Sequence, residues 1–336
     1  MAGGPIGIIV NPASGKDIRR LVSSASVFDN REKRSIVRRV ILGAVAAGAS
    51  DFLYMPDSHG IVVSALEDLD ADATFREVET PRTASALDTT RAAAKMREAG
   101  CEVVITLGGD GTNRAVALGW QDAPLVAVST GTNNVFPRMV EGTIAGAAAG
   151  CLASGRVALG EISRQVKCIH ASIEGERDDL ALIDAVLLDE PWVGARAIWD
   201  ARRLRTIVLA RAEPASVGMS AVGGLLRPMP DTFDGGFVVE VGVGGSVLSA
   251  PIAPGLYAPI PIRSSRDLEL GEIVELSGAG VLALDGERER RLKPGQRVTL
   301  TVRRDGPRVI DVALAMRRAA CAGIFQSAGD EGSHAG

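Results

Sequence analysis

"EVVITLGGDGTNRAVALG" (residues 102–119) runs from aliphatic and β-branched residues into three glycines gathered around one carboxylate, Asp110. Val103, Val104, Ile105 and Thr106 read as a buried strand, and "NRAVALG" as the helix that follows it. Backbone as permissive as "GGDG" serves a hinge, a tight turn or a phosphate cradle. The strand-to-helix setting favours the cradle. Glycines let N–H groups approach an anion closely, and a helix N-terminus adds about half a positive charge.

The same alternation extends on both sides. "PIGIIV" (5–10) is a short strand that breaks at "NPASGK" (11–16). "REKRSIVRRVILGAVAAGAS" (31–50) places Ile36, Val37, Val40, Ile41, Ala44 and Val45 on one helical face, with Gly48 near its end. "DFLYMP" (51–56) is a second strand, and "TASALDTTRAAAKMREAG" (83–100) a helix opened by a Thr or Ser cap and closed by Gly100. "PLVAVS" (124–129) is a strand leading into "TGTNNVFP", and "GTIAGAAAGCLASG" (142–155) is a helix of small residues. Strands alternating with helices predict a parallel sheet covered on both faces.

Beyond about residue 155 the texture changes. "CIHASIE", "LALIDAVLL", "TIVLARAE", "GFVVEVGVG", "EIVELSG", "GVLALDGE" and "RVTLTVRR" are short strands parted by Gly, Pro and charged turns, the mark of an all-β unit. The expected fold class is α/β plus all-β: an open parallel α/β sheet domain over 1–155 and a β-sandwich-like domain over 156–308. A C-terminal helix within 309–325 packs back on the first domain, and a disordered tail covers 326–336.

Composition narrows the function. The 336 residues are 46% hydrophobic and 23% charged, enough for a large packed core. A net charge of −4 offers no general attraction for nucleic acid, and the basic run "REKRSIVRR" (31–39) is read as a solvated helix face. Four scattered cysteines without a CxxC pair argue for reduced thiols and against a zinc or disulfide framework. With neither a signal-peptide pattern nor an apolar run of membrane-spanning length, a soluble cytoplasmic protein is expected.

Ligands of open parallel sheets bind beyond the carboxyl ends of the strands, where "NPASGK", "GGDGTNR" and "STGTNN" fall. Asn11, Gly108, Gly109, Gly111, Thr112, Thr130, Gly131, Thr132, Asn133 and Asn134 are therefore the candidate nucleotide-binding residues. The loops match neither GxxxxGK[ST] nor GxGxxG. A carboxylate in a phosphate cradle repels the ligand unless it handles a proton or helps hold Mg²⁺. Asp110 is thus either a structural Asx turn, a general base or an orienter of the nucleotide. "LALDGERERRLKPGQRV" (282–298) carries Asp285 and Glu287 about a glycine. A plain hairpin turn and a second candidate base at Asp285 both remain open. His59, His170 and His334 show no metal-ligand spacing, and His170 in "CIHAS" reads as a satisfied core residue. "GMSAVGG" (218–224) is not GxSxG, and no histidine is obviously placed to serve Ser220.

A strand ending in "NP", then "GGDGT", then a Gly-Thr-Asn loop and a β-rich second half resembles the NAD kinase and diacylglycerol kinase superfamily over about residues 5–325. "ALIDAVLLD" (181–189), "EPASVGMSAVGG" (213–224), "APIAPGLYAPIPI" (250–262) and "LDGERERRLKPGQRV" are similar to NAD kinase segments. "NPASGKDIRRLVSSASVFDN" and "STGTNNVFP" resemble the ATP-NAD kinase-like subgroup that includes the acetoin-catabolism X proteins. The resemblance implies a two-domain kinase using ATP, with Mg²⁺ carried on the nucleotide, in an interdomain crevice.

It further implies Asp110 as the base that activates an acceptor hydroxyl, and Asp184, Asp285 and Glu287 as substrate-binding residues. No protein-held metal is expected. Nucleotide and small molecule are the implied partners, with no nucleic acid and no membrane, and relatives suggest a homo-oligomer by analogy. Ile183-Asp184 stands where NAD kinases carry Asn-Glu/Asp, so the acceptor is NAD or another small polyhydroxylated metabolite. "GTNNVFPR" (131–138) and "DGE" (285–287) also resemble lipid-kinase segments, although Arg114-Ala115 replaces the Asn-Glu usual there. The alternatives are a non-catalytic nucleotide-binding accessory protein and a lipid kinase.

Overall fold

The computed structural model describes residues 3–15, 29–131, 133–189, 201–286 and 288–326. Thr132, Glu287 and the predicted tail from 327 onward lie outside the described residues.

The first half alternates strand and helix: β1 (Ile6–Val10), α1 (Asn30–Ala46), β2 (Asp51–Tyr54), α2 (Ile61–Leu66), β3 (Thr74–Glu77), α3 (Ala86–Glu98), β4 (Val103–Gly108), α4 (Asp110–Gly119), β5 (Pro124–Ser129) and α5 (Gly142–Ala153), and all but the short α2 and β3 fall in segments the sequence marks. The two longest of these helices have local reasons to start and stop where they do. Asp29 caps α1 by accepting the Glu32 N–H, and Ser85 caps α3 by accepting that of Leu87. Gly48 and Gly100, at φ 95° and 75°, supply the left-handed residue after α1 and α3.

Alternate strand residues feed two cores. Ile6, Ile8, Val10, Ile105 and Leu107 pack under α1, α2 and α5, whereas Ile9, Val104 and Leu125 pack under α3 and α4. The small residues of α5 have a steric purpose. A Cβ on Gly146 would stand 1.9 Å from the Val40 carbonyl oxygen, so α1 and α5 touch backbone to backbone.

The second half forms α6 (Leu159–Ile162), β6 (Ser163–Gln165), β7 (Cys168–Ile173), β8 (Asp179–Ala181), β9 (Asp184–Leu188), β10 (Leu204–Leu209), α7 (Met219–Leu226), β11 (Gly236–Ala253), β12 (Leu256–Leu268), β13 (Ile273–Ser277), β14 (Gly280–Leu284), β15 (Arg288–Leu292), β16 (Arg297–Arg303), β17 (Arg308–Ile310) and α8 (Val312–Cys321). A six-stranded sheet ordered β12-β11-β10-β9-β14-β15 faces a four-stranded sheet ordered β13-β16-β7-β8, and both are antiparallel. Ile169, Ala171, Leu300 and Val302 of one meet Ala185, Leu187, Val208 and Leu282 of the other, which is a sandwich core.

"LALIDAVLL" is not the single strand its apolar run suggests. It breaks at Leu182-Ile183, sending β8 into the four-stranded sheet and β9 into the six-stranded one.

The first sheet is ordered β3-β2-β1-β4-β5-β17-β6. All its neighbours pair in parallel except β17 with β6. The chain thus returns to this sheet at β17, and Ala315 and Ala319 of α8 are buried in the same core as α5. The direction of winding reverses between β1 and β4. That switch point is where ligands of such sheets bind.

Candidate functional site

The loops after β1 and β4 meet at the switch point. Asn11 accepts the Ala13 N–H through its side-chain oxygen and donates through Nδ2 to Thr112 Oγ1 at 2.9 Å. Ser14 Oγ lies 2.7 Å from Thr130 Oγ1, and the Thr130 N–H reaches the Gly108 carbonyl at 3.3 Å. Beneath them sits Lys33 of α1, wholly buried. Its Nζ donates to the carbonyls of Asn11 (2.9 Å), Ser14 (2.7 Å) and Pro12 (3.2 Å). The first loop is therefore shaped from below by a lysine whose role its sequence position, in a basic helix run, conceals.

Helix α4 begins at Asp110, three residues before the predicted "NRAVALG", so Asp110, Gly111 and Thr112 form its first turn. Gly109 is the N-cap, and a Cβ there would stand 2.8 Å from Asn134 Oδ1. Asn134 in turn donates to Ser129 Oγ at 2.8 Å. A larger residue at 109 would push the Asn134 side chain out of this arrangement.

Asp110 is half-buried. Its carboxylate accepts the Phe136 N–H at 2.8 Å and the Val135 N–H at 3.1 Å to each oxygen. These donors lie 25 and 26 residues away, in the neighbouring loop, rather than in a local Asx turn. Arg211 fixes that loop from the other domain, donating to the Val135 carbonyl at 3.2 Å and lying over the Phe136 ring.

Asp285 occupies the β14–β15 turn, at φ 52° and followed by Gly286 at φ 66°. Only 8% exposed, it accepts the N–H groups of Leu182 and Ile183 at 2.8 Å each and of Asp184 at 3.2 Å. Its own N–H returns to the Asp184 carbonyl at 3.0 Å. Burial pushes the Asp285 carboxyl up to about 6. Arg114 and the backbone donors pull against burial, and the charge of Asp110 adds to it. Asp184 and Asp285 are thus neighbours at the break between β8 and β9, and Asp110 lies within electrostatic reach of Asp285.

Arg114 ties the two domains together. One helical turn after Asp110 and 2% exposed, it donates to the Leu180 carbonyl and to Asp179 Oδ1. Asp179 also takes Arg290 at 3.0 Å. Local sequence shows Arg114 only as a basic residue in a helix; its partner lies 65 residues on.

A cleft of about 480 Å³ opens beside these loops, lined by Asn11, Gly111 and Thr112 together with Met55, Asp57, His59, Asp88 and Thr89. No sequence pattern singles out Asp57, Asp88 or Thr89. Asp57 accepts the N–H groups of His59 and Ile61, and Asp88 that of Thr83, so both act first as turn and cap residues. The described lining holds neither Lys nor Arg. Negative charge on a ligand would be met by the α4 N-terminus, by hydroxyl and amide donors, and by a cation the ligand brings. That donor set fits the sugar and phosphate of a nucleotide.

Comparison with known proteins defines the class first. Residues 6–157 match the ATP-NAD kinase N-terminal domain, and residues 167–305 match the acetoin catabolism protein X C-terminal domain. A crystal structure of yeast NADH kinase in complex with NADH superimposes with a TM-score of 0.54 at 12% identity. That match covers 98% of this chain and 91% of the kinase, and places the fold with the NAD kinases. Acetoin catabolism protein X of Cupriavidus necator is 39% identical over 329 residues, covering 94% of this chain and 92% of that protein. The chain belongs to the acetoin catabolism protein X family. Among the described residues, no helix is long and apolar enough to cross a membrane.

Proposed function

We propose that the protein is an ATP-dependent kinase of the NAD kinase type, transferring a phosphoryl group to a hydroxyl of NAD or of another small polyhydroxylated metabolite. The observation that carries this reading is the convergence of the "NPAS", "GGDGT" and "GTNN" loops at the sheet's switch point, beside a cleft of nucleotide dimensions. ATP would bring the transferable phosphoryl group together with its Mg²⁺.

The chain's own residues then position and deprotonate. Asn11, Thr112 and the first turn of α4 bind phosphate oxygens without adding cationic side chains. Val135 and Phe136, held by Asp110 and Arg211, border the reacting end. Asp110 is the base: it is half-exposed, and a carboxylate's two oxygens give it the acceptor capacity to hold the loop and still take a proton from an acceptor hydroxyl. Asp285, being buried, anchors the sandwich strands beneath it and has poorer access to a substrate. The direct test is purified protein with ATP, Mg²⁺ and NAD, followed by a panel of polyols and nucleosides. A phosphorylated product supports the proposal, and absence of turnover across the panel would sink it.

A second reading has its own observation. Three backbone hydrogen bonds to Asp110 would also suit a purely architectural carboxylate in a nucleotide-binding protein without catalysis. That reading predicts thermal stabilisation by nucleotides with no product formed.

A further inference from the structure

Away from the cleft, one group of three metal-capable side chains converges among the described residues: Cys168, His170 and Asp305. Cys168 and His170 are two apart on β7, so both project from the same face of the strand. β16 pairs antiparallel with β7, setting Thr301 opposite His170 and Arg303 opposite Cys168. Two residues beyond, the chain folds back and Asp305 lands over both. Its turn is held on each side: the Gly306 N–H bonds the Val166 carbonyl at 3.1 Å, and Gln121 donates to the Asp305 carbonyl at 3.1 Å.

We propose that these three residues bind one divalent cation of the zinc class, with water in the fourth position. Sγ of Cys168 lies 3.1 Å from Asp305 Oδ1 and 3.5 Å from His170 Nε2, and His170 Nε2 lies 2.9 Å from that same oxygen. Zinc bonds of about 2.3 Å to sulfur and about 2.0–2.1 Å to nitrogen and oxygen hold tetrahedral ligand atoms roughly 3.3–3.6 Å apart. Opening the triangle by a few tenths of an ångström admits the ion.

A nucleophile–histidine–carboxylate triad does not describe the cluster. Such a triad uses one ring nitrogen for each partner, whereas here Nε2 faces both. Cys168 is buried while His170 and Asp305 are partly exposed, which gives a soft anchor inside and an entry path outside. Binding replaces the thiol proton, which leaves to solvent. Thiolate and carboxylate then neutralise the ion, and the histidine ligates as a neutral imidazole. Position supplies a role as well. The ion would staple β7 to the turn by which the chain leaves the sandwich at β16 and returns to the first sheet at β17.

The test starts from full-length protein stripped with a chelator and titrated with Co²⁺. One equivalent is expected to bind, giving a thiolate-to-cobalt charge-transfer band. Zn²⁺ should displace the cobalt and raise Tm. C168S should lose the band, whereas C321S, at the exposed cysteine, should keep it. H170Q, at a partly exposed position that tolerates change even if C168S folds poorly, should weaken cobalt affinity by at least the roughly 10- to 100-fold that outer-shell partners cost. The proposal is overturned if no thiolate band forms on the stripped wild-type protein. It is equally overturned if the band survives C168S, or if H170Q binds cobalt as wild type does. It does not depend on the kinase reading, since the readout is metal binding alone.

Discussion

Asp285 accepts the backbone N–H of Ile183 at 2.8 Å, and this contact holds open the break at which one apolar run is divided between two sheets. The carboxylate also takes Leu182 and Asp184, so one side chain satisfies three buried backbone donors at the break.

Its stability contribution should therefore depend on pH with an unusual sign. The folded protein raises the Asp285 carboxyl from 3.8 to about 6, chiefly through burial. A group that binds its proton more tightly when folded contributes stability in acid and loses it as pH rises through about 4 to 6. The difference in unfolding free energy between wild type and D285N should accordingly fall by about 2 kcal/mol between pH 4 and pH 7, because a tenfold change in proton affinity is worth about 1.36 kcal/mol and part of the shift lies below pH 4. Denaturant titrations of both proteins across that range measure it. A difference independent of pH would show that the carboxyl is not perturbed.

Arg114 and Asp179 link the two domains. Both side chains are at most 3% exposed. R114A should destabilise the protein by about 3 kcal/mol, the low end for breaking a buried pair, because Asp179 stays buried but keeps Arg290 as a cation. R114K should recover only part of the loss, since an ammonium cannot span the Leu180 carbonyl and the carboxylate with a planar fork. Chemical denaturation of the three proteins measures the series.

Local patterning made the α/β half legible, because hydrophobic period, caps and glycines such as Gly48 and Gly100 act within a few residues. The antiparallel half was legible as strands. The split of "LALIDAVLL" was not, since its cause, Asp285, lies 102 residues beyond Ile183. The candidate site divides in the same way. Asn11 and Thr112 announce a loop by composition, whereas Lys33 reads as one more cation in a basic helix until its carbonyl partners are seen. Asp110 stands out in "GGDGT", but its partners at 135 and 136 depend on tertiary folding. The same limit hid the convergence at His170, whose carboxylate partner is 135 residues away.

Close packing of α1 on α5 supplies a third prediction. G146A adds a Cβ that would stand 1.9 Å from the Val40 carbonyl oxygen, a backbone atom that can yield only if the helices separate. The better helix propensity of alanine, about 1 kcal/mol, should be outweighed, giving a net loss of about 1–3 kcal/mol typical of overpacking. Thermal unfolding checks this, and a stabilised G146A would mean the helices part freely.

Asp110→Asn separates the two readings of the site. The amide can replace one carboxylate oxygen as acceptor, but its NH₂ would face an N–H of Val135 or Phe136, so the loop over 133–136 should loosen. Nucleotide affinity should weaken by roughly tenfold, consistent with about 1–2 kcal/mol for a mispaired, partly buried donor. If Asp110 is the base, kcat should fall by a further 10²–10⁴-fold, roughly the contribution of a positioned proton acceptor, and D110E should not restore it because the extra methylene displaces the carboxylate. Steady-state kinetics at saturating ATP, paired with calorimetric affinities, distinguish the outcomes. A D110N protein that binds nucleotide weakly yet turns over at the wild-type rate when saturated would assign Asp110 to holding the loop and remove it from the chemistry.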